Sequence, residues 1–508
     1  MFIVLLATVS VVLAAWAYVY WLKVKNYWDK RGVPNSPPHP FFGSLTFLQR
    51  VNPAIWMRQI YDKFQTPYVG IWLFWRPALV INSPNIARNV LVKDAANFRD
   101  RLLSSAAHDP IGSLNIFTAN DPLWSKVRRH LTPIFTSSKL KSIQHLMTTK
   151  SKELVQRIAM ENKKGKFNIK VRSLELTPPR CSNADIIGTS SFGIKNDATL
   201  TGESPIRVIT KDFEKYSFSR GIAWCCIFFF PELVGIFKFT LFPKSTTDYF
   251  RKLFAIMVEQ RKGDVKNLAE ARDLLDILLQ IKEKSIEEND GISAVFIQGG
   301  FDTSGSNLSF TTYELAHNPE AQEILYKELK EEQEKRQTDE LDDNALSQLI
   351  YLNCVIKESL RKYQPMGWLD RIAMNDYKID DKLTIAAGTP IYVNAIGMHY
   401  DPKYFPDPEE YNPDRFLPEN EANIQKFTFI PFGEGPRNCI GQRFALTTVR
   451  NAISQVVLNY ELRPLPNTPK PKDVQIEKNG MFLSPGEPLY KFETNSVFLF
   501  VTISRLNY

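Results

Sequence analysis

PFGEGPRNCIG, residues 431–441, gathers glycines, prolines and an arginine around one cysteine, Cys439. Turn-forming residues at this density make a tight loop, yet apolar sequence lies on both sides. The loop therefore restricts its backbone heavily in order to present a single sulfur. The remaining cysteines, Cys181, Cys225, Cys226 and Cys354, stand at irregular spacing. An odd total without a pattern argues against a disulfide framework, and no C-x-x-C pair exists to hold structural zinc or to exchange dithiols. These four are expected as small buried apolar side chains, which leaves Cys439 as the sulfur with a task.

The chain has 508 residues, 44% hydrophobic and 23% charged, a composition that suits a globular protein with a large core. Its net charge of +8 comes from 63 basic against 55 acidic residues. So mild a surplus fits a mixed solvated surface and no nucleic-acid partner. Residues 2–22, FIVLLATVSVVLAAWAYVYWL, carry no charge, and a run of this length spans a ~30 Å hydrocarbon core as a helix. A cleavable signal peptide would have a shorter apolar stretch behind a positive segment. Here Trp16, Tyr18, Tyr20 and Trp21 sit where an aromatic belt would lie, and Lys23, Lys25, Lys30 and Arg31 follow. The anchor is therefore expected to stay uncleaved, with the rest of the chain in the cytosol. Residues 31–43, RGVPNSPPHPFFG, are stiff and cannot be helix. The expected organisation is a membrane anchor at 1–22, a basic and proline-rich linker at 23–44, and one catalytic domain at 45–508.

Beyond the linker the pattern is mainly α with small β-sheets, an α+β body. Strand-like runs cluster at 68–81, between 375 and 397, and near 475–505. Segment 224–243, WCCIFFFPELVGIFKFTLFP, is very apolar, but Pro231, Glu232 and Lys238 interrupt it and argue against a second span. It is expected as core helix or as apolar surface dipping into a bilayer. Residues 291–316 read as one long helix, stopped by His317-Asn318-Pro319. Its centre holds Gly299, Gly300 and Gly305, each costing ~1 kcal/mol relative to alanine. A helix crossing or a ligand close to the backbone accounts for the glycines. The neighbouring Asp302 and Thr303 can bend the helix and hold water.

The opening stretch fits F-x-x-G-x-R-x-C-x-G in full, through Phe432, Gly435, Arg437, Cys439 and Gly441. Other short patterns precede it in order: Trp124-x-x-x-Arg128, GGFDTS at 299–304, Glu358-x-x-Arg361, and PDRF at 413–416. Each is weak alone; together, at this spacing, they are specific. The chain resembles the cytochrome P450 superfamily from its anchor to its end. LTPIFTSSKLK (131–141) and FRDR (98–101) give it the flavour of microsomal insect detoxification enzymes, family 6-like. There are departures: GGFDTS has glycine for the commoner alanine and Ser304 for threonine, and Asp414 stands for glutamate. QPMGWLDR (364–371) lacks the proline pair usual there, which alters a pocket wall.

The resemblance implies the cytochrome P450 fold with an N-terminal transmembrane helix. It implies haem b as cofactor, with the iron held by the Cys439 thiolate. An axial thiolate donates electron density and favours O–O cleavage. The helix expected from Ile440 to about Asn459 would steady that charge with its free N–H groups. Gly433 and Gly435 would allow the turn, Phe432 would pack beside the sulfur, and Gly441 would keep a side chain clear of the ring. Trp124, Arg128, Arg371 and Arg437 would bind the propionates. Glu358, Arg361 and Arg415 would form a buried structural network. Thr303 and Asp302 would relay the protons that O2 cleavage needs. Phe296, Gly299, Gly300, Leu369 and Phe482 would line the substrate pocket.

The implied activity is monooxygenation of small lipophilic substrates, xenobiotic or endogenous, at the endoplasmic reticulum membrane. The rival readings are a haem-thiolate peroxide isomerase and a non-catalytic haem-binding protein. The chain has no P-loop and no dinucleotide fingerprint. Electrons would therefore come from NADPH through a separate NADPH-cytochrome P450 reductase, with cytochrome b5 as a further partner. A basic face including Lys126, Arg129, Lys139 and Lys141 would dock the reductase.

Overall fold

Helices dominate the chain, with three small sheets among them. The computed structural model describes residues 2–48, 50–163, 178–194, 196–214, 217–261, 273, 275–276, 290–464, 468–485 and 501–505. The first helix, Phe2–Lys25, is uncharged until Lys23. Among the described residues it begins the one candidate membrane span. The segment after this helix is built into the body. Trp28 is fully buried and occupies the space over Gly70, where an added Cβ would lie 2.3 Å from the indole. Its Nε1 donates to the Ile71 carbonyl at 3.0 Å, and Trp72 Nε1 donates to the Val24 carbonyl at 2.9 Å. Gly70 N–H donates to Pro34 at 2.8 Å, and Gly43 bridges Leu73. The proline-rich stretch thus runs along a sheet edge, where a residue without an N–H is tolerated.

That sheet is formed by β1 (Tyr68–Leu73) and β2 (Arg76–Ile81), the hairpin expected at 68–81, with strands from the second cluster. There β3 (Leu369–Ile372), β4 (Tyr377–Lys378), β5 (Thr384–Ile385) and β6 (Pro390–Val393) follow in turn. The order is β1-β2-β6-β3, with β2 and β6 parallel and the other pairs antiparallel; β4 and β5 pair separately. β3 starts earlier than expected, at Leu369. On its outer edge Ile372 N–H donates to the Asp100 carbonyl at 2.9 Å, which brings the FRDR segment beside it. β7 (Tyr460–Pro464) pairs with β8 (Val501–Arg505). β7 follows a helix with no turn signal between them, so only its partner's region reads as strand in the sequence.

The apolar segment 224–243 divides as its prolines dictate. One helix, Phe218–Phe229, ends where Pro231 starts the next, Pro231–Phe237. Trp224 to Phe230 are buried, while Phe218, Ile236 and Phe237 are 68%, 71% and 61% exposed. Both expectations hold, for different residues. Cys225, Cys226 and Cys354 are buried as expected; the Cys181 side chain lies outside the described residues.

The long helix spans Asp290–His317 and is crossed by Pro178–Phe192. The two explanations for its glycines are likewise both met. At Gly300 a Cβ would come 2.7 Å from Ile187, which is close helix packing, whereas at Gly299 it would meet nothing within 4 Å. Asn183 on the crossing helix donates to the carbonyls of Gly300 and Phe301 at 2.7 Å each, so the weak centre of the helix is held from outside.

Candidate active site

The cysteine loop is closed by its own backbone. Cys439 N–H donates to Phe432 at 2.8 Å, and Asn438 N–H donates to Gly435 at 3.1 Å. Gly433 and Gly435 lie at φ +70° and +75°, a region that glycine enters without cost. At Gly435 an added Cβ would also stand 1.8 Å from the Leu91 carbonyl oxygen. Gly441 begins the helix Gln442–Asn459 without a side-chain cap, so first-turn N–H groups stay open. The Cys439 side chain is exposed, but into an internal cavity. Burial pushes its thiol up, while the Gly441 N–H and then Arg128 and Arg101 pull it back down.

The cavity over Cys439 measures about 300 Å³. It brings together most residues that the sequence singles out. Gly299, Gly300, Asp302 and Thr303 enter from the long helix, and Leu369 and Phe482 from two further segments. Trp124, Arg128, Phe432, Arg437 and Gly441 line it beside Cys439. At Gly441 an added Cβ would meet only the Phe135 ring, at 4.0 Å. Arg371 and Gly433 lie outside the lining, and the side chain of Phe296 is outside the described residues. Phe482 is placed by Asn52, whose side chain donates to the carbonyls of Glu477 and Phe482 at 2.7 and 3.2 Å.

Beside this cavity positive charge is in surplus. Arg371 is buried and its pKa falls to about 9, through burial and then the Arg101 charge, with Asp370 opposing. Arg437 also falls to about 9, through burial, then Arg101 and Arg371. Its guanidinium stacks 4.1 Å from the Trp124 ring centroid and donates to the Arg99 and Ala119 carbonyls. Arg101 was missed as a site residue in the sequence, although FRDR contains it. Its Nη1 lies 3.8 Å from Asp370, and both Nε and Nη1 lack a hydrogen bond among the described residues. Buried cations that repel one another, with donors to spare, fit a ligand bearing carboxylates. A haem has two, and the cavity places a free sulfur where its iron would need one, so the residues present fit that group. Arg128 is differently engaged: it donates to the Asn438 carbonyl and side chain at 2.8 and 2.7 Å, clamping the residue before Cys439.

Behind the cysteine loop, Arg361 donates to both carboxylate oxygens of Glu358 at 2.7 Å, with both side chains fully buried. Arg415 Nε lies 3.4 Å from the same carboxylate. Two buried groups nearby have no local sequence signal. Lys362 pairs with Glu314 at 2.8 Å. His399 bonds the Arg361 carbonyl through Nδ1 at 3.1 Å and accepts the Ile430 N–H on Nε2 at 3.1 Å. It therefore joins the charged network to the start of the cysteine loop. On the long helix, Thr303 Oγ1 donates to the Gly299 carbonyl and Asp302 is buried in the lining.

Residues 33–492 match the family described as Cytochrome P450. Cytochrome P450 6k1 of Blattella germanica is 33% identical, over 96% of both chains. Cytochrome P450 6l1 of the same insect is 32% identical over 90% of both. A probable cytochrome P450 6d5 of Drosophila melanogaster is 33% identical over 88% of this chain and 91% of its own. With a cysteine sulfur at the floor of a cavity edged by unmatched arginines, and with this likeness along nearly its whole length, the chain belongs to the cytochrome P450 family, as a haem-thiolate monooxygenase resembling its insect family-6 members.

Proposed function

We propose that the protein oxygenates small lipophilic substrates, xenobiotic or endogenous, at the endoplasmic reticulum membrane, with electrons from NADPH through a separate reductase. The observation that carries this reading is the Cys439 side chain open to an internal cavity whose other wall is the GGFDTS helix. When bound, haem supplies the reductive activation of O2 and the insertion of one oxygen atom into substrate, the other leaving as water. The chain's own part is to hold and to exclude. Cys439 provides the axial thiolate, and the Gly441 N–H and Arg128 steady its charge. Arg101, Arg371 and Arg437, with Trp124, would hold the propionates. Phe432 and Gly441 shape the floor, and Gly433 the turn. Glu358, Arg361 and Arg415 keep the support behind the loop rigid.

Thr303 Oγ1 and the Asp302 carboxyl are the proton-handling groups of the cavity, and their presence favours oxygenation over rearrangement of a peroxide. Residues 1–22 serve as the anchor, and 23–44 fix the cytosolic domain to it. Lys126 and Arg129 stand on the helix that also supplies Trp124 and Arg128, and with Lys139 and Lys141 they suit an acidic reductase surface; cytochrome b5 would use the same face. The test is product formation in vesicles containing reductase. Product must require both NADPH and O2; formation from a peroxide alone, with neither, would contradict the reading.

A further inference from the structure

Three polar atoms in the cavity wall have no hydrogen bond among the described residues: the Ser304 hydroxyl, the Asn307 amide nitrogen and the Gln364 carbonyl oxygen. All three residues line the cavity, and they are 3%, 3% and 1% exposed. Ser304 and Asn307 are one turn apart on the long helix, hence on one face. Gln364 follows the helix Ile350–Lys362, and its Nε2 donates to the Ile430 carbonyl at 3.4 Å, which leaves Oε1 for another group. Buried polar atoms nearly always find partners, and each one left unmade is costly. Aliphatic side chains would fill this wall without that penalty. Haem does not meet the need: its carboxylates match the arginines, and its other ring substituents are hydrocarbon.

We propose that Ser304, Asn307 and Gln364 form a hydrogen-bonding subsite for one neutral polar group of an otherwise lipophilic substrate. The set offers a hydroxyl, an N–H donor and a carbonyl acceptor. It therefore suits a group that donates and accepts, an alcohol first, with ketones and amides next. All three side chains are uncharged, so the subsite compensates no ionic group. This deepens the monooxygenase reading and rests on it. Gln364 stands in the stretch where related enzymes have a proline pair, so the subsite is a departure of this chain.

The test is equilibrium dialysis of the full-length, haem-loaded protein against matched lipophiles: menthol and menthone against p-menthane, and cyclododecanol against cyclododecane. In the wild type the alcohols bind more tightly than their hydrocarbons. In Gln364→Pro, which makes the proline pair of related enzymes, and in Asn307→Leu, the alcohol-over-hydrocarbon preference drops roughly tenfold, the scale of one buried hydrogen bond. Hydrocarbon binding is kept. Unchanged preference in either variant that retains the wild-type ferrous–CO spectrum overturns the proposal. So does a wild type in which the hydrocarbon wins in every pair, or in which no polar member binds. A wild type lacking the thiolate–CO spectrum defeats the haem-thiolate reading instead, and the dialysis ratios separate the two failures.

Discussion

At Gly435 two constraints coincide: a left-handed φ of +75° and a Leu91 carbonyl where a Cβ would go. Gly435→Ala must therefore move the backbone of the cysteine loop or of the facing segment. The expected cost is at least ~1–2 kcal/mol from the backbone alone, seen as a lowered midpoint of thermal unfolding and as loss of haem on gel filtration. The Glu358–Arg361 pair sets a second scale. Arg361→Met leaves the Glu358 carboxylate buried beside Arg415 alone, and breaking such a pair costs ~3–5 kcal/mol. Denaturant unfolding of the haem-loaded variant measures it; a change below ~1 kcal/mol would mean that the network is not the support described. Thr303→Ala removes a hydroxyl from the cavity but no ligand of the haem. The expected outcome is normal haem content with NADPH consumption diverted to peroxide. Full coupling of NADPH use to product in that variant contradicts the proton role.

Among the elements, the short helix Ala395–His399 has a consequence for pH. Burial, before any other cause, pushes the His399 pKa down to about 3, so the ring is neutral in the fold. The unfolded histidine titrates near ~6.5. Between those values the unfolded chain binds the extra proton, so the stability contributed by this site is present above ~6.5 and is lost as pH falls toward 3, at up to ~1.4 kcal/mol per unit. Denaturant unfolding at about pH 7 and about pH 5 checks this, with a smaller loss expected in His399→Gln. His399 also shows where sequence reading stops. Cys439, its glycines and the long helix with its weak centre are legible because turn chemistry, spacing and propensity are local. The Asn183 bonds to the weak centre, the Lys362–Glu314 pair and the bridge from His399 to Ile430 join residues far apart in sequence. β7 escapes for a related reason, since it becomes a strand only through a distant partner. Arg101 lies in a motif, but its task shows only when β3 brings Arg371 beside it.

For the whole molecule, the anchor and the catalytic body meet at the mutual bonds of Trp28 and Trp72. Deleting residues 2–22 should therefore yield a haem-loaded body with nearly unchanged thermal stability. Deleting 2–43 removes Trp28 and the covering of the β1 edge, and should lower the unfolding midpoint and promote aggregation. Equal behaviour of the two truncations would mean that the proline-rich stretch is a mere tether. Everything else depends on one bond, between Cys439 and the haem iron. The ferrous–CO difference spectrum of the full-length protein tests it most directly. The wild type should show the strongly red-shifted Soret band of CO bound opposite a thiolate, and Cys439→His should lose that band while still binding haem. A wild-type spectrum of the imidazole-ligated kind, or a red-shifted band that survives in Cys439→His, would contradict the account.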